Sequence, residues 1–282
     1  MNTVIISVKT LWNQWFSIKK TIVCAASLVS LLTGAIAQEI GTYNIISANG
    51  IIVDKTSGKT LQVGDQINLQ TDLQFGSMND RAVVLSPSKS KYFLELPKSS
   101  FVNQQLSVTS DQALAPIKTR PALITGVRGN SVLTKGVSVQ TLKEYFAIDT
   151  FTIIGDKLTL PVSKADTAKF DLLLRYENGN IVEEYLSTDF SIAQNDLKLQ
   201  GNGITECYVL LKEGNQIIPV TQLSLFFVDK TQLFTEFNSL LKALNLKKKD
   251  NTVRAVLRQY CTDVYGMIDG GTLEATLIEY LR

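Results

Sequence analysis

At Asp229 the hydrophobic period of this 282-residue chain changes from two residues to that of a helix, and this break constrains the fold more than any single motif. Before it, apolar residues alternate in short runs cut by turn residues. Leu61, Val63, Ile67 and Leu69 flank Gly64-Asp65, while Thr56-Ser57-Gly58, Met78-Asn79-Asp80 and Ser86-Pro87-Ser88 mark further reversals. After it, Leu233, Phe234, Phe237, Leu240, Leu241 and Leu244 recur at i, i+1, i+4, i+7, i+8 and i+11, one face of a helix. Asp229 and Gln232 have the spacing of a capping box, and Lys247-Lys248-Lys249 favours the helix end. A second helix is expected from Asp250 through Val253, Leu257, Tyr260, Cys261 and Val264 to Gly266, and a third from Thr272 through Leu273, Leu277 and Leu281.

The alternating part has two blocks. In residues 41–97, Phe75, Val83, Leu85, Phe93 and Leu96 are the expected core of a small β-barrel. In residues 151–228 about seven strand candidates follow, with Asn178-Gly179 the strongest hairpin signal and Glu213-Gly214-Asn215-Gln216 a second. That spacing predicts a β-sandwich, immunoglobulin-like in the loose sense, without the cysteine-tryptophan pairing of true immunoglobulin domains. Residues 98–120, rich in Ser, Gln and Thr, show no sustained period and read as linker, and a short amphipathic stretch carries Leu142, Tyr145 and Phe146. The expected fold class is mainly β: a small β-barrel or SH3-like module (38–97), a linker and short helix (98–147), a β-sandwich (148–228) and a helical C-terminal segment (229–282).

Residues 1–37 have the three parts of a secretory signal: Lys19-Lys20, an uncharged apolar run at 21–37, and Ala35-Ile36-Ala37 before Gln38. Cleavage after Ala37 is the first reading; an uncleaved anchor helix is the second, and the one route to a membrane. Cleavage removes Lys9, Lys19 and Lys20 and no acidic residue, which turns 28 basic and 26 acidic groups into 25 and 26. The mild basic charge thus belongs to the targeting segment, and it supports no nucleic-acid role. Cys207 and Cys261 remain, either as a disulfide in an oxidising compartment or as two separate buried thiols.

Gly50-Ile51-Ile52-Val53, Gly58-Lys59-Thr60-Leu61-Gln62-Val63-Gly64-Asp65-Gln66-Ile67 and Arg81-Ala82-Val83-Val84 stand in the order of a strand, a G-K-x-L-x-x-G-D-x-I turn and a later R-A-V strand. Over residues 50–84 this resembles the small β modules of the FecR-like and bacterial SH3-like kind. The resemblance implies an interaction or wall-associated element of an envelope protein.

Chemistry is constrained by an absence: the chain has no histidine, which removes the commonest general base and the favoured zinc ligand. Ser86-Pro87-Ser88-Lys89 fits S-x-x-K formally, but no K-T-G companion exists. Asp269-Gly270-Gly271 lacks the alternating oxygens of a calcium loop, and no glycine-rich loop joins a strand to a helix as nucleotide binding requires. Arg175, Glu177, Glu183 and Glu184 flank the Asn178-Gly179 hairpin as an exposed charged patch. No catalytic, cofactor or metal residue is assigned. The expectation is a non-enzymatic exported protein, periplasmic or at the outer membrane or cell surface of a Gram-negative bacterium, that binds a protein partner. Phe234, Phe237, Leu241 and Leu244 on the helical tail and Tyr176 and Tyr185 on strands are the candidate contacts. A glycan or peptidoglycan binder using strand tyrosines is the alternative, and a carboxylate-only glycan hydrolase a remote one.

Overall fold

A computed structural model describes residues 41–103, 106–117, 133, 136–146, 150–178, 181–199 and 203–282; the expected signal segment lies outside them. Strand exceeds helix, so the chain is mainly β. Strands β1 (Tyr43–Asn49), β2 (Ile52–Asp54), β3 (Lys59–Thr60), β4 (Gln66–Ile67), β5 (Asp72–Phe75), β6 (Arg81–Leu85) and β7 (Lys91–Glu95) succeed one another through tight turns. The first reversal shows how. The Asp54 carboxylate accepts from the amides of Thr56 (2.9 Å) and Ser57 (3.4 Å) and from the Ser57 hydroxyl (2.8 Å), and Gly58 then takes φ +69°.

Residues 98–117, expected as linker, are instead part of the sheets. They form helix α1 (Lys98–Asn103), strand β8 (Ser107–Thr109), helix α2 (Ser110–Ala113) and strand β9 (Leu114–Pro116). β8 pairs with β5 and β9 with β7, and three-residue strands are too short to show a period. The result is a five-stranded sheet in the order β4-β1-β6-β7-β9 and a four-stranded sheet β3-β2-β5-β8, all antiparallel, and no barrel closes among the described residues.

A register shift in β1 between Ile45 and Ser47 has a large consequence. Ile45 and Ile46 are neighbours in sequence, yet both are fully buried, on different sides. Ile45 joins Leu73, Phe75 and Val84 between the two N-terminal sheets, whereas Ile46 joins Val83 and Leu85 in a core shared with the C-terminal helices. A bulge re-aims side chains in this way without breaking the strand.

After helix α3 (Val139–Phe146), which buries Leu142, Tyr145 and Phe146, the second block begins. It comprises β10 (Thr150–Ile154), β11 (Lys157–Thr159), helix α4 (Lys164–Lys169), β12 (Asp171–Asn178), β13 (Ile181–Ser187), β14 (Ser191–Ala193), β15 (Gly203–Glu213) and β16 (Gln216–Val228). Most of the strands expected to form a sandwich lie instead in one six-stranded mixed sheet, β13-β12-β15-β16-β10-β17, with β17 (Met267–Ile268) supplied from beyond the helices; the stretch at Leu158 falls in the separate β11–β14 ribbon, and 197–199 is not a strand. β10 runs parallel to both neighbours, and its sequence, Thr-Phe-Thr-Ile-Ile, is buried after the first residue, as parallel strands covered on both faces require. The β11–β14 ribbon and α3 pack on one face through Leu158, Ile192, Leu142 and Phe146.

Helix α5 (Lys230–Leu244) is capped by Asp229, whose carboxylate accepts from the Gln232 amide at 2.9 Å, and closed by Asn245 at φ +57°. The Gln232 side chain does not reach back to complete the capping box; it turns to Glu236. Helix α6 (Val253–Tyr265) starts after Thr252 rather than at Asp250, whose carboxylate accepts from the Lys247 amide. Helix α7 (Gly270–Leu281) is capped by Asp269, three residues ahead of the expected Thr272, because the Thr272 amide donates to that carboxylate at 2.7 Å. These helices pack against one another, against Ile154 and Val228 of the mixed sheet, and against Val83 and Leu85 of the N-terminal sheet. Gly41–Arg282 accordingly form one compact unit.

Candidate functional site

The helical residues expected to meet a partner face inward. Phe237 and Leu241 are buried, and Phe234 and Leu244 pack partly buried on the same core. Burying one such side chain is worth about 1.5–3 kcal/mol, so that face is already used by the chain itself. Tyr176 is buried, its hydroxyl accepting from the Lys198 amide at 3.0 Å, and Tyr185 lies half-buried on the core with its hydroxyl donating to the Ser191 carbonyl at 3.1 Å. The strand tyrosines therefore do not make a common exposed face, and Tyr208 on β15 is the exposed one among Tyr176, Tyr185 and Tyr208.

Cys207 and Cys261 are not bridged: one is buried in the mixed-sheet core and the other in the helical core. Burial pushes the Cys207 thiol up to about 12, and burial together with the nearby Glu236 carboxylate pushes the Cys261 thiol higher still. Neither thiol is expected to react with an alkylating reagent in the native protein, and both should react in denaturant. Mass spectrometry of the two samples checks this; native labelling or a disulfide-linked peptide would contradict it.

Other sequence candidates are engaged elsewhere. The Ser86 hydroxyl pairs with that of Ser88 at 2.9 Å and accepts from the Ser90 amide at 3.1 Å, while Lys89 donates to the Ala243 carbonyl at 3.1 Å. At the hairpin, Arg175 pairs with Glu184 at 2.7 Å and Lys198 with Glu183 at 2.9 Å, all on the surface or near it. Among the described residues no group of three metal-ligating side chains forms.

The residue that sequence reasoning missed is Glu236. It is fully buried on α5, and four donors from three parts of the chain converge on it. Ser47 of β1 (2.6 Å) and Gln232 (3.1 Å) donate to Oε1, and Tyr260 (3.0 Å) and Tyr265 (2.5 Å) of α6 donate to Oε2. Burial raises the Glu236 pKa, and the four donors only partly offset that. A few residues away Lys91 of β7 pairs with Asp263 of α6, whose carboxylate is fully buried and also accepts from Gln259 at 2.7 Å. Both arrangements tie the N-terminal sheet to the helices.

Above this polar seam lies a cleft of about 300 Å³ where the end of strands β1 and β6 meets the mixed sheet. Asn49 and Arg81, register partners on β1 and β6, line it from one side; Thr150 and Ser224, register partners on β10 and β16, line it from the other. Exposure falls from Asn49, through half-buried Arg81 and Thr150, to buried Ser47 and Thr152, so the cleft opens near Asn49. Phe93 forms part of its wall and carries the Arg81 guanidinium 5.1 Å from its ring centroid.

A second surface stands apart from the cleft. On the face of the mixed sheet opposite the β11–β14 ribbon, Leu186, Leu173, Leu210 and Pro219 fall in one register row across β13, β12, β15 and β16. Leu173 and Leu210 are buried by their neighbours, but Leu186, Tyr208 and Ile217 are each more than 40% exposed, and Val182 is 60% exposed. The Arg175–Glu184 pair and the Lys212–Asp171 pair border the row. A monomeric surface seldom carries such a row without a use for it. Compared with protein-family profiles, with curated proteins and with solved structures, the chain has no significant match in any of the three.

Proposed function

We propose that this chain is an exported, non-enzymatic component of a bacterial envelope that works by binding another protein through the outer face of its mixed sheet. The observation that carries the reading is the apolar row Leu186, Leu173, Leu210 and Pro219, extended by Tyr208 and Ile217 and rimmed by charge pairs. Apolar centres with polar rims are the anatomy of protein contacts. The signal-like residues 1–37 and the FecR-like or SH3-like order of residues 50–84 support an envelope setting. Catalysis by carboxylates alone has little to work with, since Glu236 already accepts from four donors and Asp263 is paired with Lys91.

The test is a photocrosslinking residue placed at Tyr208, with one at Lys164 as a control, in cells that export the protein. One discrete adduct from position 208 that is lost with Leu186→Glu supports the reading. Equal adducts from both positions, or none from 208, overturn it. Export has its own check. Both tryptophans, Trp12 and Trp15, precede residue 38, and all nine tyrosines follow it, so the exported protein should show tyrosine emission with no tryptophan band.

A further inference from the structure

We propose that the cleft between the N-terminal sheet and the mixed sheet is a binding site for a carboxylate, with Arg81 as the residue that grips it. Three polar side chains lining the cleft, Asn49, Arg81 and Thr150, have no side-chain hydrogen bond or ion pair among the described residues, although the hydroxyls of Ser47 and Thr152 deeper in are both engaged. Arg81 and Thr150 are half-buried and Asn49 stands exposed at the mouth, and polar groups in a cleft that the fold does not use are what a ligand site supplies. Arg81 is also held in place: Phe93 stacks beneath it, and Asn49 sits opposite in register. A planar guanidinium pre-set in this way matches a planar carboxylate through two parallel hydrogen bonds, with the Asn49 amide and the Thr150 hydroxyl available beside it.

The surrounding charges decide against a phosphate. Lys91, which reaches Asp263 on the cleft lining, is already neutralised by that carboxylate. Glu95, in register with Arg81 on β7, adds negative potential. One uncommitted guanidinium against that background suits a monoanion better than a dianion. Val83, Phe226 and Val264 add apolar surface to a lining that is otherwise largely polar, room enough for the short organic body of a small acid. The inference does not depend on the outer sheet face binding a protein.

Isothermal titration calorimetry on the exported protein tests it with four probes: propionate, N-acetyl-dialanine with a free carboxylate, the C-terminal amide of the same peptide, and inorganic phosphate. Saturable binding of a free carboxylate, with no binding of the amide, is expected. Propionate binding as well as the peptide acid assigns the site to small acids, and a preference for the peptide acid assigns it to a chain end. Arg81→Gln should weaken binding about ten- to a hundredfold. Glu95→Gln should strengthen it, which a variant that merely failed to fold could not do. Binding of phosphate or of the amide at least as tight as that of the acids overturns the assignment, as does an Arg81→Gln protein with a native circular dichroism spectrum and unchanged affinity.

Discussion

Glu236→Ala is expected to lower the unfolding free energy by about 3–5 kcal/mol, because it leaves buried donors unsatisfied at about 1–3 kcal/mol each and opens a cavity in the core. The loss is large because four donors are left facing a void: the hydroxyls of Ser47, Tyr260 and Tyr265 and the amide of Gln232. Glu236→Gln keeps the volume and one oxygen and should cost less, about 1–3 kcal/mol, since the tyrosine and serine hydroxyls can turn to accept from its amide. Urea titration of both variants measures this; an alanine variant within about 1 kcal/mol of the parent would mean that the network holds nothing together.

The same pair of proteins has a pH signature. Burial raises the folded pKa of Glu236 above its ordinary value of 4.5, so the folded state keeps that proton more tightly than the unfolded chain does. The stability contributed by the protonated form is complete below the ordinary value and is lost as pH rises through the raised one. Subtracting the stability of Glu236→Gln from that of the parent therefore leaves a difference that falls with rising pH above about 4.5 and then levels off. Asp54, stabilised as an anion chiefly by the Ser57 hydroxyl, and Asp189, by the Ser191 hydroxyl, act in the opposite sense, contributing stability that is lost as pH falls. Their contributions are common to both proteins and cancel in the difference.

Glu236 also shows what could be read ahead of the structure and what could not. Leu233, Phe237 and Leu240 announce the buried face of α5 by spacing alone, and Glu236 lies on that same face, three residues after Leu233. A carboxylate inside an apolar stripe was the available signal that something must meet it. What meets it was not readable, because Ser47 is 189 residues away and reaches it only through the bulge in β1. The mainly β character and the switch at Asp229 were legible for the same reason as the helix face, since alternation and helical period are local. The parallel placement of β10, the strands within residues 98–117 and the packing of the helices on the N-terminal sheet depend on pairings distant in sequence. The cleft is of this second kind. Arg81 continues the register face of Val83 and Leu85, but the opposite wall comes from strands more than 60 residues on.

The other large effect concerns the Lys91–Asp263 pair, and its two halves should not be equivalent. The Asp263 side chain is fully buried, whereas that of Lys91 is 21% exposed. Lys91→Met leaves a buried carboxylate without its cation and is expected to cost about 3–5 kcal/mol. Asp263→Asn leaves an ammonium that can turn to water, and the amide can still accept from Gln259, so about 1–2 kcal/mol is expected. Lys91→Met combined with Asp263→Leu removes both charges together, and because the desolvation penalty of the buried carboxylate goes with it, the double variant should be more stable than Lys91→Met alone. Equal losses from the two single variants, or a double variant no more stable than Lys91→Met alone, would show that Lys91 does not stabilise the buried Asp263 side chain. If the asymmetry is found, the N-terminal sheet and helix α6 are joined by an ion pair whose cost of rupture falls on the helix side, the side that also forms the floor of the cleft.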